Sequence, residues 1–187
     1  EPVIRLAIRQ AMRLMGSQFV MGSTIKEALR TARNREHRAY LHSYDMLGEA
    51  ALTSADADRY WQSYHSAITE IGAKSGVAHE STSSARPGIS VKLSALHPRY
   101  EYAQRGRVLA ELTPKLLQLV LHARQHNIGL TLDAEEADRL DLSLDLFERV
   151  YLDPGLGPWD GFGLAVQAFQ KRGLFVIEWL ESLARHA

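Results

Sequence analysis

The chain has 187 residues, of which 45% are hydrophobic, enough for one buried core with little room for two. Its 22 basic residues balance 22 acidic ones, which argues against a general nucleic-acid or membrane partner, because such binding needs a basic excess. The absence of cysteine excludes a disulfide framework, a thiolate metal site and a cysteine nucleophile.

The first forty residues are predicted to form two helices. Apolar residues recur at helical spacing over 3–15, and Gly16 is placed to end that helix. Ser23 or Thr24 is predicted to cap the second helix, and Glu27 stands at the position that completes a capping box if Thr24 is the cap. We therefore interpret residues 1–40 as a helical lead-in to the rest of the chain.

From residue 41 onward, strand and helix patterns alternate. Short apolar and β-branched runs predict strands over 42–47, 89–96, 128–133 and 162–168. Helical periodicity predicts helices over 58–73, 107–126, 139–150 and 175–183. Tyr64 falls on the apolar face of the first of these helices, and Pro114 is expected to mark a new first turn or a kink in the second. Residues 76–88 are predicted to form a polar loop.

This alternation predicts an α/β fold in which helices cover parallel strands. A TIM-type (β/α)8 barrel takes about 250 residues, or ~30 per unit, so four β–α units amount to half of one. A doubly wound sheet is the competing architecture. Such a sheet usually carries a G-x-G-x-x-G turn after its first strand, and that pattern is absent here.

Polar residues interrupt three of the predicted strands. Lys92 lies within the second strand, where it either points towards a charged partner or stands at a sheet edge with its head in water. Asp133 closes the third strand and is a plausible partner for Lys92 on the neighbouring strand. Gln167 lies in the fourth strand, where either a flat heteroaromatic cofactor or a neighbouring backbone could satisfy its amide.

Other polar clusters point to ordinary structural roles. The acidic residues Glu135, Glu136 and Asp138 are typical of a helix N-terminus, where they complement the macrodipole. His122 and His126 are four residues apart, but no third ligand is apparent, so a zinc site is not expected. We therefore predict no metal.

Four segments together identify a resemblance to a known family. SYDMLGEAA at 43–51, SVKLSALHPRY at 90–100, DAEEADRL at 133–140 and QAFQKR at 167–172 resemble, in order and spacing, the proline dehydrogenase domain of proline utilization A proteins. The lead segment 11–16 is similar as well. The resemblance implies a (β/α)8 barrel with FAD at the C-terminal ends of its strands. It also implies oxidation of L-proline to Δ1-pyrroline-5-carboxylate by hydride transfer to the flavin, with electrons passed on to a membrane quinone.

The same resemblance assigns roles to individual residues. Lys92 matches a lysine that contacts the substrate carboxylate, and Asp133 matches an aspartate between flavin and substrate. Ala134 matches its neighbour along the cofactor, and Gln167 matches a glutamine that hydrogen-bonds the flavin ring. Glu49 matches a glutamate that pairs with a substrate-binding arginine to close the site, and Asp45 lies on the same motif. Position 165 is alanine, where the family leads us to expect a larger aliphatic side chain.

The resemblance further implies that residues 41–187 form only the first half of the barrel. The pyrophosphate-binding segment and the arginine pair that grips the carboxylate are expected beyond Ala187. A bifunctional family member would also bring a pyrroline-5-carboxylate dehydrogenase domain, homo-oligomeric assembly and a cytoplasmic location with peripheral membrane association. The alternative is that this chain alone is an inactive folding or assembly unit of a larger enzyme.

Overall fold

The computed structural model describes residues 2–16, 19–34, 39–75 and 86–186. The chain divides into two compact units, Glu1–His42 and Ser43–Ala187. Most of the predicted polar loop, residues 76–85, lies outside the described residues.

The first unit contains two helices, α1 (Pro2–Gly16) and α2 (Ile25–Ala32). The end of α1 at Gly16 is as predicted. The hydroxyl of Thr24 accepts a hydrogen bond from the Glu27 N–H at 3.2 Å, and the Glu27 carboxylate accepts one from the Ser23 N–H at 2.9 Å. Of the two predicted caps, the structure shows Thr24 at the N-cap of α2, where its hydroxyl satisfies a backbone donor that the first helical turn leaves free.

The second unit consists of four parallel strands and the helices between and after them. The strands are β1 (Ser43–Tyr44), β2 (Gly88–Val91), β3 (Gly129–Leu132) and β4 (Phe162–Leu164). The helices are α3 (Ser54–Ser75), the single turn α4 (Leu93–Leu96), α5 (Arg105–Gln125), α6 (Leu140–Tyr151) and α7 (Gly173–His186). Short 3-10 turns occupy Tyr102–Gln104, Ala137–Arg139 and Pro154–Leu156.

The strands pair in the order β1-β2-β3-β4, all parallel, with Ile89 opposite Leu130 and Leu130 opposite Phe162. A doubly wound sheet reverses its strand order at a switch point. The sheet described here runs in one direction without reversal. This order is consistent with a TIM-type barrel.

The core lies between the sheet and its covering helices. Ile89, Val91, Leu130 and Leu132 are at most 1% exposed, and they alternate along their strands with half-buried residues such as Thr131. From the helix side, buried leucines of α5 and α6 complete this layer, namely Leu112, Leu116, Leu119, Leu142 and Leu146. The core thus fixes the strands, and with them the loops that leave their C-terminal ends.

Two predictions about strand ends are wrong. The second strand ends at Val91, and Leu93–Leu96 forms the helical turn α4, because a short apolar run can bury its side chains from a helical turn as well as from a strand. The fourth strand ends at Leu164, so Gln167 lies in the following loop. Of the two expectations for Pro114, the new first turn is not formed, because helix α5 runs from Arg105 through the proline with buried leucines on both sides of it; the kink stays a prediction.

Candidate active site

The predicted site residues come together beyond the C-terminal ends of the four strands. Asp45 and Glu49 follow β1, Lys92 follows β2, and Asp133 follows β3. Gln167 follows β4. In parallel sheets these ends share one edge, which is where α/β enzymes place their catalytic loops.

Lys92 joins the loops after β1, β2 and β3. Its Nζ lies 2.9 Å from Asp45 Oδ1, 3.1 Å from Glu49 Oε1 and 2.9 Å from Asp133 Oδ2. The predicted partnership of Lys92 with Asp133 is confirmed, and the edge-strand interpretation with a solvated ammonium is wrong. The three carboxylates take up the three hydrogens of the ammonium group. We call Lys92, Asp45, Glu49 and Asp133 the lysine cluster.

The lysine cluster has more acidic than basic groups, because one cation contacts three carboxylates. Burial lowers the pKa of the Lys92 ammonium, but the hydrogen bonds that it donates to Asp45, Asp133 and Glu49 outweigh burial and raise that pKa above its usual value. Lys92 therefore stays protonated throughout the physiological range. A further anion could reach its nitrogen only by displacing one of the three carboxylates.

The Glu49 carboxylate is the most buried acid of the cluster, with its side chain 1% exposed. Its Oε1 accepts hydrogen bonds from Lys92 Nζ and from the Tyr64 hydroxyl of α3, each at 3.1 Å. Its Oε2 is buried and has no hydrogen-bond partner among the residues that the structure describes. A buried carboxylate oxygen in this state can accept a hydrogen bond from a further donor.

Glu135 is a site residue that the sequence analysis missed. Its side chain is only 8% exposed, and its Oε1 accepts a hydrogen bond from the Ser94 N–H at 3.0 Å. The other carboxylate oxygen lies 3.3 Å from Arg139 NH1. The predicted helix N-terminus is wrong for Glu135, because residues 133–136 are irregular and the carboxylate instead ties the end of β3 to the first turn of α4. Nothing in the local sequence distinguishes Glu135 from the exposed Glu136 beside it.

The loop after β3, which contains Glu135, also holds the side chain of Gln167. Its Nε2 donates to the backbone carbonyl of Glu135 at 3.2 Å, and its Oε1 accepts from Gln170 Nε2 at 3.2 Å. A backbone carbonyl thus satisfies one donor of the Gln167 amide, which agrees with the prediction that a neighbouring backbone could pair with it. One N–H and one oxygen lone pair of Gln167 are left over from these two bonds.

A cleft of about 640 Å³ lies over this edge of the sheet. Its walls include Glu49, Lys92, His97, Tyr100, Ala134 and Gln167. A smaller, mainly apolar cavity of about 50 Å³ adjoins it where Leu164, Val166 and Val176 meet the ends of β3 and β4. The larger cleft has the volume of a small-molecule site, which is usually about 300–1,000 Å³, but its walls are more polar than those of most such sites.

Within residues 2–16, 19–34, 39–75 and 86–186, no group of three or more histidine or acidic side chains is arranged to hold a metal ion. In the same ranges no helix combines the length and the apolar character needed to cross a bilayer.

The family model described as proline dehydrogenase matches residues 28–187. The chain belongs to the proline dehydrogenase family. It is 55% identical to the bifunctional protein PutA of Klebsiella aerogenes, covering 98% of this chain and 14% of that protein. The corresponding protein of Escherichia coli strain K12 is 54% identical with the same coverage. The chain thus spans a small part of the length of these relatives.

The chain is also similar in structure to solved proline utilization A proteins. A mutant of proline utilization A from Bradyrhizobium japonicum superposes with a TM-score of 0.81 at 53% identity, over 98% of this chain and 18% of that one. Proline utilization A from Bdellovibrio bacteriovorus, inactivated by N-propargylglycine, gives a TM-score of 0.86 at 22% identity over 96% of this chain and 20% of that one. The second likeness speaks for the fold alone.

Proposed function

We propose that this chain supplies the lysine, aspartate and glutamine side of the active site of an FAD-dependent proline dehydrogenase. The reaction is the oxidation of L-proline to Δ1-pyrroline-5-carboxylate, the first step of proline catabolism to glutamate. The lysine cluster at the C-terminal edge of a parallel sheet, in a chain of the proline dehydrogenase family, is the observation that carries this proposal. Closure of the four-stranded sheet into a full (β/α)8 barrel is part of it, supported by the unreversed strand order.

The residues around the cleft fit a flavin ring. Gln167 keeps one donor and one acceptor beyond its bonds to Glu135 and Gln170, and a heteroaromatic ring edge offers the complementary groups. Ala134, half-buried on the cleft wall, leaves room for a flat ring to lie against the loop after β3. When bound, the flavin would supply the hydride-accepting chemistry, while the protein supplies position and electrostatics.

The lysine cluster orients the substrate in this proposal. Asp45 is the most exposed partner of Lys92, with 40% of its side chain exposed, and is the carboxylate that a substrate carboxylate would most readily displace. Asp133 uses Oδ2 for Lys92, which leaves Oδ1 to accept a hydrogen bond from the flavin or the substrate. Glu49, through its unpartnered Oε2, would receive the arginine that closes the site.

The proposal also covers the rest of the full-length protein and its partners. We infer that the remainder of the barrel supplies the arginines and the groups that hold the FAD phosphates. We also infer a pyrroline-5-carboxylate dehydrogenase domain, since the relatives are named bifunctional. Electron transfer to a membrane quinone, homo-oligomeric assembly and a cytoplasmic location with peripheral membrane association complete the proposal.

Flavin bleaching tests this function directly. The full-length protein that contains this chain should purify with a bound flavin, and anaerobic addition of L-proline should bleach its absorbance. A protein that binds flavin but is not bleached would refute proline as the substrate. A protein that binds no flavin would refute the cofactor.

The second candidate is that the 187 residues on their own are an inactive folding or assembly unit. Among the described residues, β1 and β4 each pair on one side only, and such open edges favour association with another chain segment. The isolated chain should then carry no bound flavin and show no proline-dependent bleaching. A yellow, proline-bleachable preparation of the isolated chain would rule this candidate out.

A further inference from the structure

Tyr64 is a buried tyrosine whose hydroxyl reaches the candidate active site from the helix layer. It lies on α3, the helix that connects β1 to β2, and is 0% exposed. Its hydroxyl donates to Glu49 Oε1 at 3.1 Å and accepts from the Lys92 backbone N–H at 3.1 Å. The sequence places Tyr64 with packing residues, and the structure shows that its polar end touches two members of the lysine cluster.

The two hydrogen bonds have defined directions. The Lys92 N–H can only donate, so the Tyr64 oxygen accepts from it and the hydroxyl hydrogen is free to go to Glu49. Burial raises the pKa of Tyr64 above its usual value, which keeps the hydroxyl a donor at all physiological pH values. Glu49 Oε1 thus receives one charged donor, Lys92 Nζ, and one neutral donor, Tyr64.

Because both donors bind Oε1 of Glu49, Oε2 is the oxygen that stays available for another donor. With Oε1 committed to Lys92 and Tyr64, the carboxylate has little freedom to rotate, and Oε2 is the oxygen left without a described partner. Without the Tyr64 hydroxyl, Lys92 alone would hold Glu49, and its ammonium also serves two other carboxylates. The Glu49 side chain is 1% exposed, so its hydrogen bonds to Lys92 and Tyr64 help to fix its orientation.

We propose that Tyr64 is a positioning residue that fixes the Glu49 carboxylate, so that one oxygen faces Lys92 and the other faces a cationic group completing the substrate site. This inference rests on the proposed function, since it assigns Glu49 a part in binding proline. Tyr64 contacts neither substrate nor cofactor in this scheme. It acts through Glu49.

The test is Tyr64→Phe in the full-length flavin-loaded protein, which removes only the hydroxyl. We expect the KM for proline to rise about tenfold with kcat changed less than about twofold, the size that loss of a hydrogen bond to a charged group gives. Trp61→Phe is the matched control, because Trp61 lies on the same helix and donates to the Lys115 carbonyl at 3.0 Å, outside the site. Its KM should match that of the unaltered protein. An unchanged KM in Tyr64→Phe would overturn the proposal.

A double-mutant cycle separates positioning from a general packing role. In a Glu49→Ala background, Tyr64→Phe should change the KM by less than about twofold, because coupled residues are non-additive. A full tenfold effect in that background would mean that Tyr64 acts elsewhere, and the proposal would fail. The thermal midpoints of the same four proteins should show the same coupling, whether or not the protein oxidises proline. Coupled midpoints without proline-dependent bleaching would count against the proposed function alone, whereas additive midpoints would count against the role of Tyr64.

A volume-matched pair keeps the test valid if Tyr64→Phe does not fold. Replacing Tyr64 by 4-aminophenylalanine retains the ring and a donor, whereas 4-methylphenylalanine fills the same space without a donor. The amino variant should keep a KM within about twofold of the unaltered protein, and the methyl variant should show the roughly tenfold increase. Equal KM values for the two variants would overturn the proposal.

Discussion

Replacing Lys92 by methionine removes a cation that contacts Asp45, Glu49 and Asp133, while keeping a side chain of similar length. The three carboxylates then lose a shared partner. They differ in how much that loss matters, because their side chains are 40%, 1% and 20% exposed respectively. Water can replace Lys92 at Asp45, but it has little access to Glu49.

The size of the effect follows from these exposures. For Glu49, loss of a buried charge-assisted hydrogen bond costs about 1.5–3 kcal/mol. Asp133 adds about 0.5–1 kcal/mol and Asp45 almost nothing, as for partly and mostly solvated pairs. We expect a total loss of about 2–4 kcal/mol at neutral pH, which lowers the thermal midpoint of a cooperative unit of about 150–250 residues by about 4–16 °C.

Differential scanning fluorimetry of the full-length protein checks this expectation. Lys115→Met is the matched control, because Lys115 forms a 2.7 Å ion pair with Asp58 in which the side chains are 41% and 66% exposed. Such a surface pair contributes about 0–1 kcal/mol, so its midpoint should fall by no more than ~3 °C. Adding Glu49→Gln to Lys92→Met should recover part of the lost midpoint, since it neutralises the stranded carboxylate. Equal midpoints for Lys92→Met and Lys115→Met would refute the view that Lys92 holds the cluster together.

Three further predictions concern catalysis, assembly of the site and pH. Asp133→Asn should lower kcat/KM for proline at least about tenfold, whereas Asp45→Asn should change it less than about threefold, because Asp133 lines the smaller cavity at the ends of β3 and β4, whereas Asp45 does not line it and is 40% exposed; equal losses in steady-state assays would contradict this ranking. Glu135→Gln should lower the flavin content of the purified protein, measured by absorbance, since the loop of Glu135 carries the carbonyl that holds Gln167; full occupancy would count against a role for that loop. The pKa of Lys92 is raised in the folded state, so its contribution to stability is present below about pH 10.4 and is lost as the pH rises further. Thermal midpoints measured from about pH 9 to 12 should therefore run parallel in Lys92→Met and the unaltered protein up to about pH 10.4 and fall less steeply in Lys92→Met above it, and identical slopes above about pH 10.4 would refute the linkage.

Long, strongly periodic segments of the fold could be predicted from the sequence. Helix α5 was expected over 107–126 and occupies Arg105–Gln125, because seven buried residues repeat along one face of it. The strand ends were less predictable. Leu93, Ala95 and Leu96 are all buried, and a run of buried residues looks the same in a strand and in a short helical turn.

Some residues of the site could also be predicted from the sequence, and others could not. Lys92 and Asp133 could be paired from the sequence, because parallel neighbouring strands deliver their C-terminal residues to one edge. Asp45 and Glu49 entered through the family resemblance, and their shared contact with Lys92 depends on a loop path that no periodicity encodes. Tyr64 could not be recognised, because a tyrosine on an apolar helix face shows nothing in sequence about where its hydroxyl ends.

The charge on the cleft indicates what must complete it. Its lining includes four glutamates, with Lys92 and Arg139 as the basic residues among those described, and both are already paired to carboxylates. Arg139 is held by Glu135 and Glu136 at 3.3 and 3.2 Å. Proline is a zwitterion, and its carboxylate would meet more negative than positive charge in this cleft. The proposed proline site therefore calls for additional cations, and Glu49 Oε2, which is buried without a hydrogen-bond partner among the described residues, is an acceptor that could orient one of them.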